Sequence, residues 1–364
     1  MLDLEAMQAA ADLRLFLFGE GEVGHLWKTS CPMGHPNPIL RMGKGEPPPI
    51  RSNEQDVTSS IRTTDPAAVA AEVIRLYHGL FPHASARPFE RAFTDLARAY
   101  DGGDLSYWPC DTEYHDIQHV LDVTLAMCRL MDGYQRGLSN GSERMRPELF
   151  VAGALAALFH DFGYLRKRSD RRHQFGAEYT IGHVSRGAAF LRRYMLELGY
   201  DQHLARLAAT LLHFTGYERK AETIRIGAGL ERRLGQMMGT ADIIAQMSDR
   251  CYLEKCRNRL FPEFVLGRLG APRNAEKLPR FVSGDELVAK TPGFYENAMK
   301  RLDVQLGRSH QYAARHFGGE NLYLKALHKN VQYAASRSPA LRRHPPYTLL
   351  PEVLPYPRDL VGIQ

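Results

Sequence analysis

The sequence predicts an all-α protein, and three observations carry that prediction. Apolar residues recur at steps of three and four through most of residues 66–336. The run from Leu149 to Phe159 is apolar on every side, the pattern of a helix at the centre of a bundle. Strand-like alternation is missing apart from Thr223-Ile224-Arg225-Ile226.

The elements follow in order. Residues 3–18 place Leu4, Met7, Ala11, Leu15 and Phe18 near helical spacing, which predicts a short amphipathic helix. From Ser30 to Pro66 the prolines at 32, 36, 38, 47, 48 and 49 exclude helix interior and central strand, so this stretch reads as an extended arm. Pro66 then opens a helix through Leu76, since proline is tolerated in a first turn. Further helices are expected over Phe89–Tyr100, His115–Met131 and Pro147–Phe159. The next spans Ala188–Leu198 and stops at Gly199, and Asp201 caps one over Gln202–Phe214. A longer helix is expected over Leu230–Arg257, with two more between Pro292 and Ser336. Pro339, Pro345, Pro346, Pro351, Pro355 and Pro357 mark an extended tail. The expected organisation is an arm over 1–65, one helical domain over 66–336 and a proline-rich tail over 337–364.

Composition narrows the function classes. With 44% hydrophobic and 24% charged residues, the chain has enough apolar surface for a sizeable core and is not wholly disordered. The apolar run 149–159 is too short to cross a bilayer, and the acidic start Met1-Leu-Asp-Leu-Glu5 has the wrong polarity for a secretory signal. Five scattered cysteines without a CxxC pair suit a reducing compartment, so a cytoplasmic location is expected. Cys31-Pro-Met-Gly-His35 has the look of half a metal clip, but no second ligand pair follows it. The formal charge of +6 is modest for this length, and no zinc-finger, helix-turn-helix or RNA-recognition motif accompanies it. Nucleic acid is therefore not expected as the main partner; a phosphate-bearing small molecule is, and an oligomer is compatible with the sequence.

Fifteen histidines are the more telling count. The apolar run 149–159 leads straight into His160-Asp161, followed by Gly163. An interior carboxylate must be compensated, by a metal or by capping a following helix. In Tyr114-His115-Asp116-Ile-Gln-His119-Val-Leu-Asp122, the two histidines stand four apart and are expected on one helical face beside an apolar stripe. His183 lies at a helix entry, His213 at a helix end, and Asp242 in the small apolar stretch Gly239-Thr-Ala-Asp-Ile-Ile-Ala245. Each taken singly also has an ordinary structural account.

Their order resembles the H…HD…H…H…D pattern of the HD-domain metal-dependent phosphohydrolases. The segment 114–123 is similar to the YHN-x-x-H-A-x-D-V signature of the cyclic-nucleotide phosphodiesterase branch, and Gly182-His183-Val-Ser-Arg-Gly187-Ala is similar to the H-P-x-x-G-A segment of the HD-GYP branch. The resemblance covers about 110–260. It implies an HD-domain helical bundle in which His119, His160, Asp161 and Asp242 hold a first divalent metal. Asp161 would bridge to a second metal also bound by His183 and His213. Fe, Mn, Zn or Co suits such ligands, one or two ions per chain. The implied reaction is attack of metal-activated hydroxide on a phosphomonoester or phosphodiester, a nucleotide for preference, with His115 as general acid. The chain departs from the phosphodiesterases after Asp161, where Arg166, Lys167, Arg168, Arg171 and Arg172 stand in place of the expected D-H-P-G-x-x-N run. Arg166, Lys167 and Arg168 are candidate contacts to substrate phosphate, against the alternative of a solvated basic loop. Two other readings use the same fold: a di-iron oxygenase of the myo-inositol oxygenase type, and a non-catalytic HD sensing module.

Overall fold

A computed structural model describes residues 53–138, 143–216, 219–269 and 281–341. The helix expected at 3–18, the Cys31–His35 segment, most of the proline arm and the tail from 342 lie outside the described residues. Those described are helical with no strand, as the periodicity predicts.

Helix α1 (Pro66–Leu80) starts where proline enters its first turn, and the Asp65 carboxylate accepts the Ala67 N–H. Helix α2 (Arg87–Tyr100) buries Phe89, Ala92, Phe93 and Leu96 on one face. Helix α3 (Ile117–Arg136) and α4 (Pro147–Leu158) form the centre. All of α4 from Leu149 to Leu158 is buried, as its all-round apolarity requires. Helix α3 packs against α1, α4, α7 and α12 and so is buried on nearly every side, not along one stripe alone.

Helices α5 (His183–Glu197) and α6 (Gln202–Leu212) form an adjacent pair, with Asp201 capping α6 as expected. Helix α5 begins five residues before its expected start. Helix α7 (Leu230–Ser248) ends nine residues before the expected Arg257. The break is local chemistry: Asp249 leaves helical geometry, accepts the Cys251 N–H at 2.6 Å and pairs with Lys255 Nζ at 2.5 Å. The chain resumes as α8 (Tyr252–Lys255), a π-helical turn over Cys256–Leu260, and α9 (Phe261–Leu269). Helix α10 (Gly284–Ala289) follows, then α11 (Thr291–Lys300), α12 (Gln311–His316) and α13 (Leu322–Leu341). Neither α9 nor α10 is signalled by periodicity, and three helices stand where two are expected. Thr223–Ile226 is not a strand; Ala221–Thr223 forms a 3-10 turn.

One buried charge ties distant parts of this bundle together. Arg129, on α3, is only 2% exposed and donates to Asp56 Oδ2 at 2.6 Å and to the Tyr323 hydroxyl at 3.0 Å. The Asp56 carboxylate also accepts the backbone N–H groups of Ser60 and Ile61, closing the described part of the arm onto α3. No helix among the described residues is long and apolar enough to cross a membrane.

Candidate metal centre

The end of α4 delivers His160 and Asp161 to the interior, where they are 1% and 2% exposed. Phe159 ends the helix, and Asp161 begins a 3-10 turn over Phe162–Tyr164. The first turn of α5 lies directly against this turn. A Cβ on Gly163 would stand 1.8 Å from the His183 carbonyl oxygen, so only glycine permits the approach. Arg186 fastens the two segments, donating to the carbonyls of Gly163 at 2.8 Å and Leu165 at 3.0 Å. His183 is thereby placed with Nε2 3.6 Å from Asp161 Oδ1.

Asp116 caps α3 by accepting the His119 N–H at 2.9 Å. His115 therefore precedes the helix and does not share a helical face with His119, contrary to the four-residue spacing argument. The two rings still meet, with centroids 5.7 Å apart. His119 Nε2 lies 3.3 Å from Asp161 Oδ2, 3.6 Å from Asp242 Oδ1 on α7, and 3.3 Å from His160 Nε2. His160 Nε2 lies 3.1 Å from Asp161 Oδ2.

These groups fit a cation. The Nδ1 of His160 stands 2.8 Å from the Ala157 carbonyl, a contact that requires its proton there and turns the Nε2 lone pair toward Asp161 and His119. Asp161 Oδ2 is buried and makes no hydrogen bond of good geometry despite those short approaches. Ligand atoms of His119, His160 and Asp242 all lie within 4.8 Å of one another. Lone pairs crowded at these distances and screened from water are stabilised by a shared positive ion.

The acid–base shifts follow the same crowding. Burial raises the Asp242 carboxyl above its ordinary range, with His160 and His119 opposing. Burial acts likewise on Asp161, but the His160 and His115 imidazoles, with His119 close by, outweigh it and hold that carboxyl well below. Burial lowers His183 to about 4, and burial with the charge of Arg219 lowers His213 to about 4. Both imidazoles are thus neutral near pH 7, the form that binds metals.

His213 caps the end of α6 and is not among the three residues whose ligand atoms converge. Arg166 pairs loosely with Asp111 at 3.8 Å, whereas Lys167 and Arg168 line a separate cavity described below.

One residue of this centre is absent from the sequence reading. Glu263, on α9 and 4% exposed, has Oε2 2.6 Å from His115 Nδ1 and accepts the backbone N–H groups of Tyr114 and His115. Burial would lower His115, but the Glu263 and Asp161 charges and the Glu263 hydrogen bond raise it to about 9. The Tyr164 ring stacks on His115 at 4.5 Å and on His183 at 4.3 Å, fixing both ring planes. The only signal for Glu263 in the sequence is a lone acid in the apolar run Phe261-Pro-Glu-Phe-Val265.

The fold and site thus define an all-α protein with a buried His/Asp cluster able to hold a metal. No family model matches the chain, and no curated protein matches it. Among solved structures, it is similar to the phosphodiesterase domain of the RhoPDE fusion protein from the choanoflagellate Salpingoeca rosetta. That alignment covers 81% of this chain and 97% of the other at 12% identity, with a TM-score of 0.49. A second structure of the Salpingoeca rosetta rhodopsin phosphodiesterase domain aligns over 80% of this chain and 92% of its own, at 12% identity and a TM-score of 0.45. At those values the likeness assigns no function.

Proposed function

We propose that the chain is a metal-dependent phosphohydrolase of the HD type that cleaves a phosphomonoester or phosphodiester, with nucleotides as the favoured substrate class. The observation that carries this reading is the buried convergence of His119, His160, Asp161 and Asp242 beside the His115–Glu263 pair. The first four residues are assigned to one ion. Asp161, through the oxygen facing His183, is assigned with His183 and His213 to a second. Fe, Mn, Zn or Co, when bound, supplies a Lewis acid for phosphoryl oxygens and lowers the pKa of a water.

The chain's own groups do the rest. The Glu263 carboxylate holds His115 Nδ1–H, which leaves the Nε2 proton for the departing oxygen of the ester. Tyr164 keeps that ring from turning. A proton donor held in this way favours hydrolysis over oxygen activation on the same ligands. The test is to load the full chain with each of the four metals and assay chromogenic phosphomonoesters, phosphodiesters and nucleotides. Turnover that follows bound metal by elemental analysis is expected; a fully loaded chain inert toward the whole panel rejects the reading.

Glu263→Gln supplies a second, more specific outcome. The acid form of His115 is present below its folded pKa and is lost as pH rises through about 9. Removing the carboxylate takes away the largest raising contribution and leaves burial opposed only by the Asp161 and Asp242 charges, so the alkaline limb of the pH–rate profile moves down. Turnover at neutral pH should fall by about 10–100-fold. An unmoved alkaline limb would remove His115 from the proton-donor role.

A further inference from the structure

Lys167 and Arg168 do not stand over the metal centre. The loop that carries them runs antiparallel to residues 106–108, with Tyr107 bridged to Lys167 and the Trp108 N–H donating to the Arg166 carbonyl at 2.9 Å. Together with the outer face of α5 these two segments border an open cleft of about 600 Å³. That is well within the size of small-molecule sites. Its α5 wall consists of Phe190, Arg193, Tyr194 and Glu197. At a rise of about 1.5 Å per residue these positions lie roughly 10 to 20 Å along the helix from His183. Phe162, next to Asp161 in sequence, closes the end nearer the metal centre: its ring stacks on Phe190 at 3.7 Å and meets Tyr107 edge-on at 5.1 Å.

We infer that this cavity is a second ligand site, distinct from the metal centre, that takes a nucleoside-monophosphate-like molecule. Three features of the lining specify the class. Lys167, Arg168 and Arg193 supply positive charge at one cavity, and among the described residues neither Lys167 nor Arg193 is held in an ion pair. Three cations against the two acids Asp104 and Glu197 leave the lining net positive, and although Arg168 Nε donates to the Tyr107 carbonyl at 2.9 Å, Lys167 and Arg193 are available to a phosphate. The half-buried Phe190 and the largely buried rings of Tyr107 and Tyr194 give the cleft a small apolar side against which a base can rest. Asp104 and Glu197 are acceptors for the hydroxyl or amino donors that such a molecule also carries. A bare inorganic anion would use the first feature and leave the other two unanswered.

Trp108 provides the readout. The residue is 37% exposed, and its ring carries the guanidinium of Arg168 at 4.7 Å and that of Arg166 at 5.3 Å. Drawing Arg168 onto a phosphate takes a cation off the indole and changes its emission. Trp27 is the other tryptophan of the chain, so Trp27→Phe leaves Trp108 as the sole reporter.

The experiment titrates AMP, adenosine and inorganic phosphate separately into this full-length reporter chain. It is repeated on chain stripped with a chelator and on His119→Ala. AMP is expected to give a saturable change in all three, binding more tightly than adenosine or phosphate alone. Lys167→Ala/Arg193→Glu, at two exposed side chains, is expected to weaken AMP by about tenfold or more. Equal affinity for phosphate and AMP would reduce the site to an anion pocket and overturn the proposed class. AMP binding lost on metal removal but unaffected by the double variant would place the probe at the metal centre and overturn the second site. Absence of any saturable change, by fluorescence and by calorimetry, would do the same. None of these outcomes depends on turnover, so the site and the proposed hydrolase activity fail independently.

Discussion

Asp161→Asn should cost about a thousandfold or more in turnover of any phosphoester the metal-loaded chain accepts, together with most of its bound metal. The substitution keeps shape and removes charge. Asp161 Oδ2 faces His119 and His160 while Oδ1 faces His183, so one carboxylate serves contacts arriving from α3, α4 and α5. An amide cannot give lone pairs from both ends, and its NH₂ would donate to an imidazole nitrogen whose lone pair the metal needs. Elemental analysis of the purified variant separates lost metal from lost chemistry, and far-ultraviolet circular dichroism checks that the helices remain. A variant that keeps both metal and turnover would remove Asp161 from the centre.

The second large effect is on stability. Arg129→Ala should destabilise the chain by about 3–5 kcal/mol, because it strands the Asp56 carboxylate where water cannot reach it. In the native chain burial pushes Asp56 up, but the Arg129 charge and the Ile61 N–H prevail and hold it below its ordinary value. A carboxyl depressed in this way contributes stability above its unfolded pKa and loses it as pH falls through the lower folded value. The pair is therefore fully effective at neutral pH and fails only in acid. The melting temperature of Arg129→Ala should drop by about 5–9 °C. The double variant Arg129→Met/Asp56→Leu, which removes both charges, should recover much of that loss. Equal melting temperatures for Arg129→Ala and the native chain would show the pair to be energetically idle.

Much of this bundle is legible in the sequence because its signals are local. Pro66 and Pro147 open their helices where the rules for a first turn place them, Asp201 caps α6, and the apolar run ending at His160 is buried throughout. The features that the sequence leaves unmarked or misplaces depend on partners far along the chain or on a single competing hydrogen bond. Nothing in the sequence marks Arg129, whose partners Asp56 and Tyr323 meet it only in the fold. Glu263 pairs with a histidine 148 residues earlier, a relation no spacing rule reaches. His115 falls outside α3 because Asp116 prefers the role of cap, and α7 stops because Asp249 bonds forward to Cys251. Lys167 and Arg168 follow the HD pair closely in sequence, yet the turn after Asp161 carries them to the far side of Phe162.

The 148-residue span between His115 and Glu263 also sets an order of events during synthesis. When α6 has left the ribosome, α3, α4 and α5 can already pack, bringing three histidines and one carboxylate together. The second carboxylate, Asp242, arrives 81 residues after Asp161, and the partner of His115 arrives 21 residues later still. A nascent chain therefore passes through a stage with an incomplete cluster before His115 gains its carboxylate partner. The cluster is thus completed by α7 and α9, after α3 to α6 exist and with α10 to α13 still to be made.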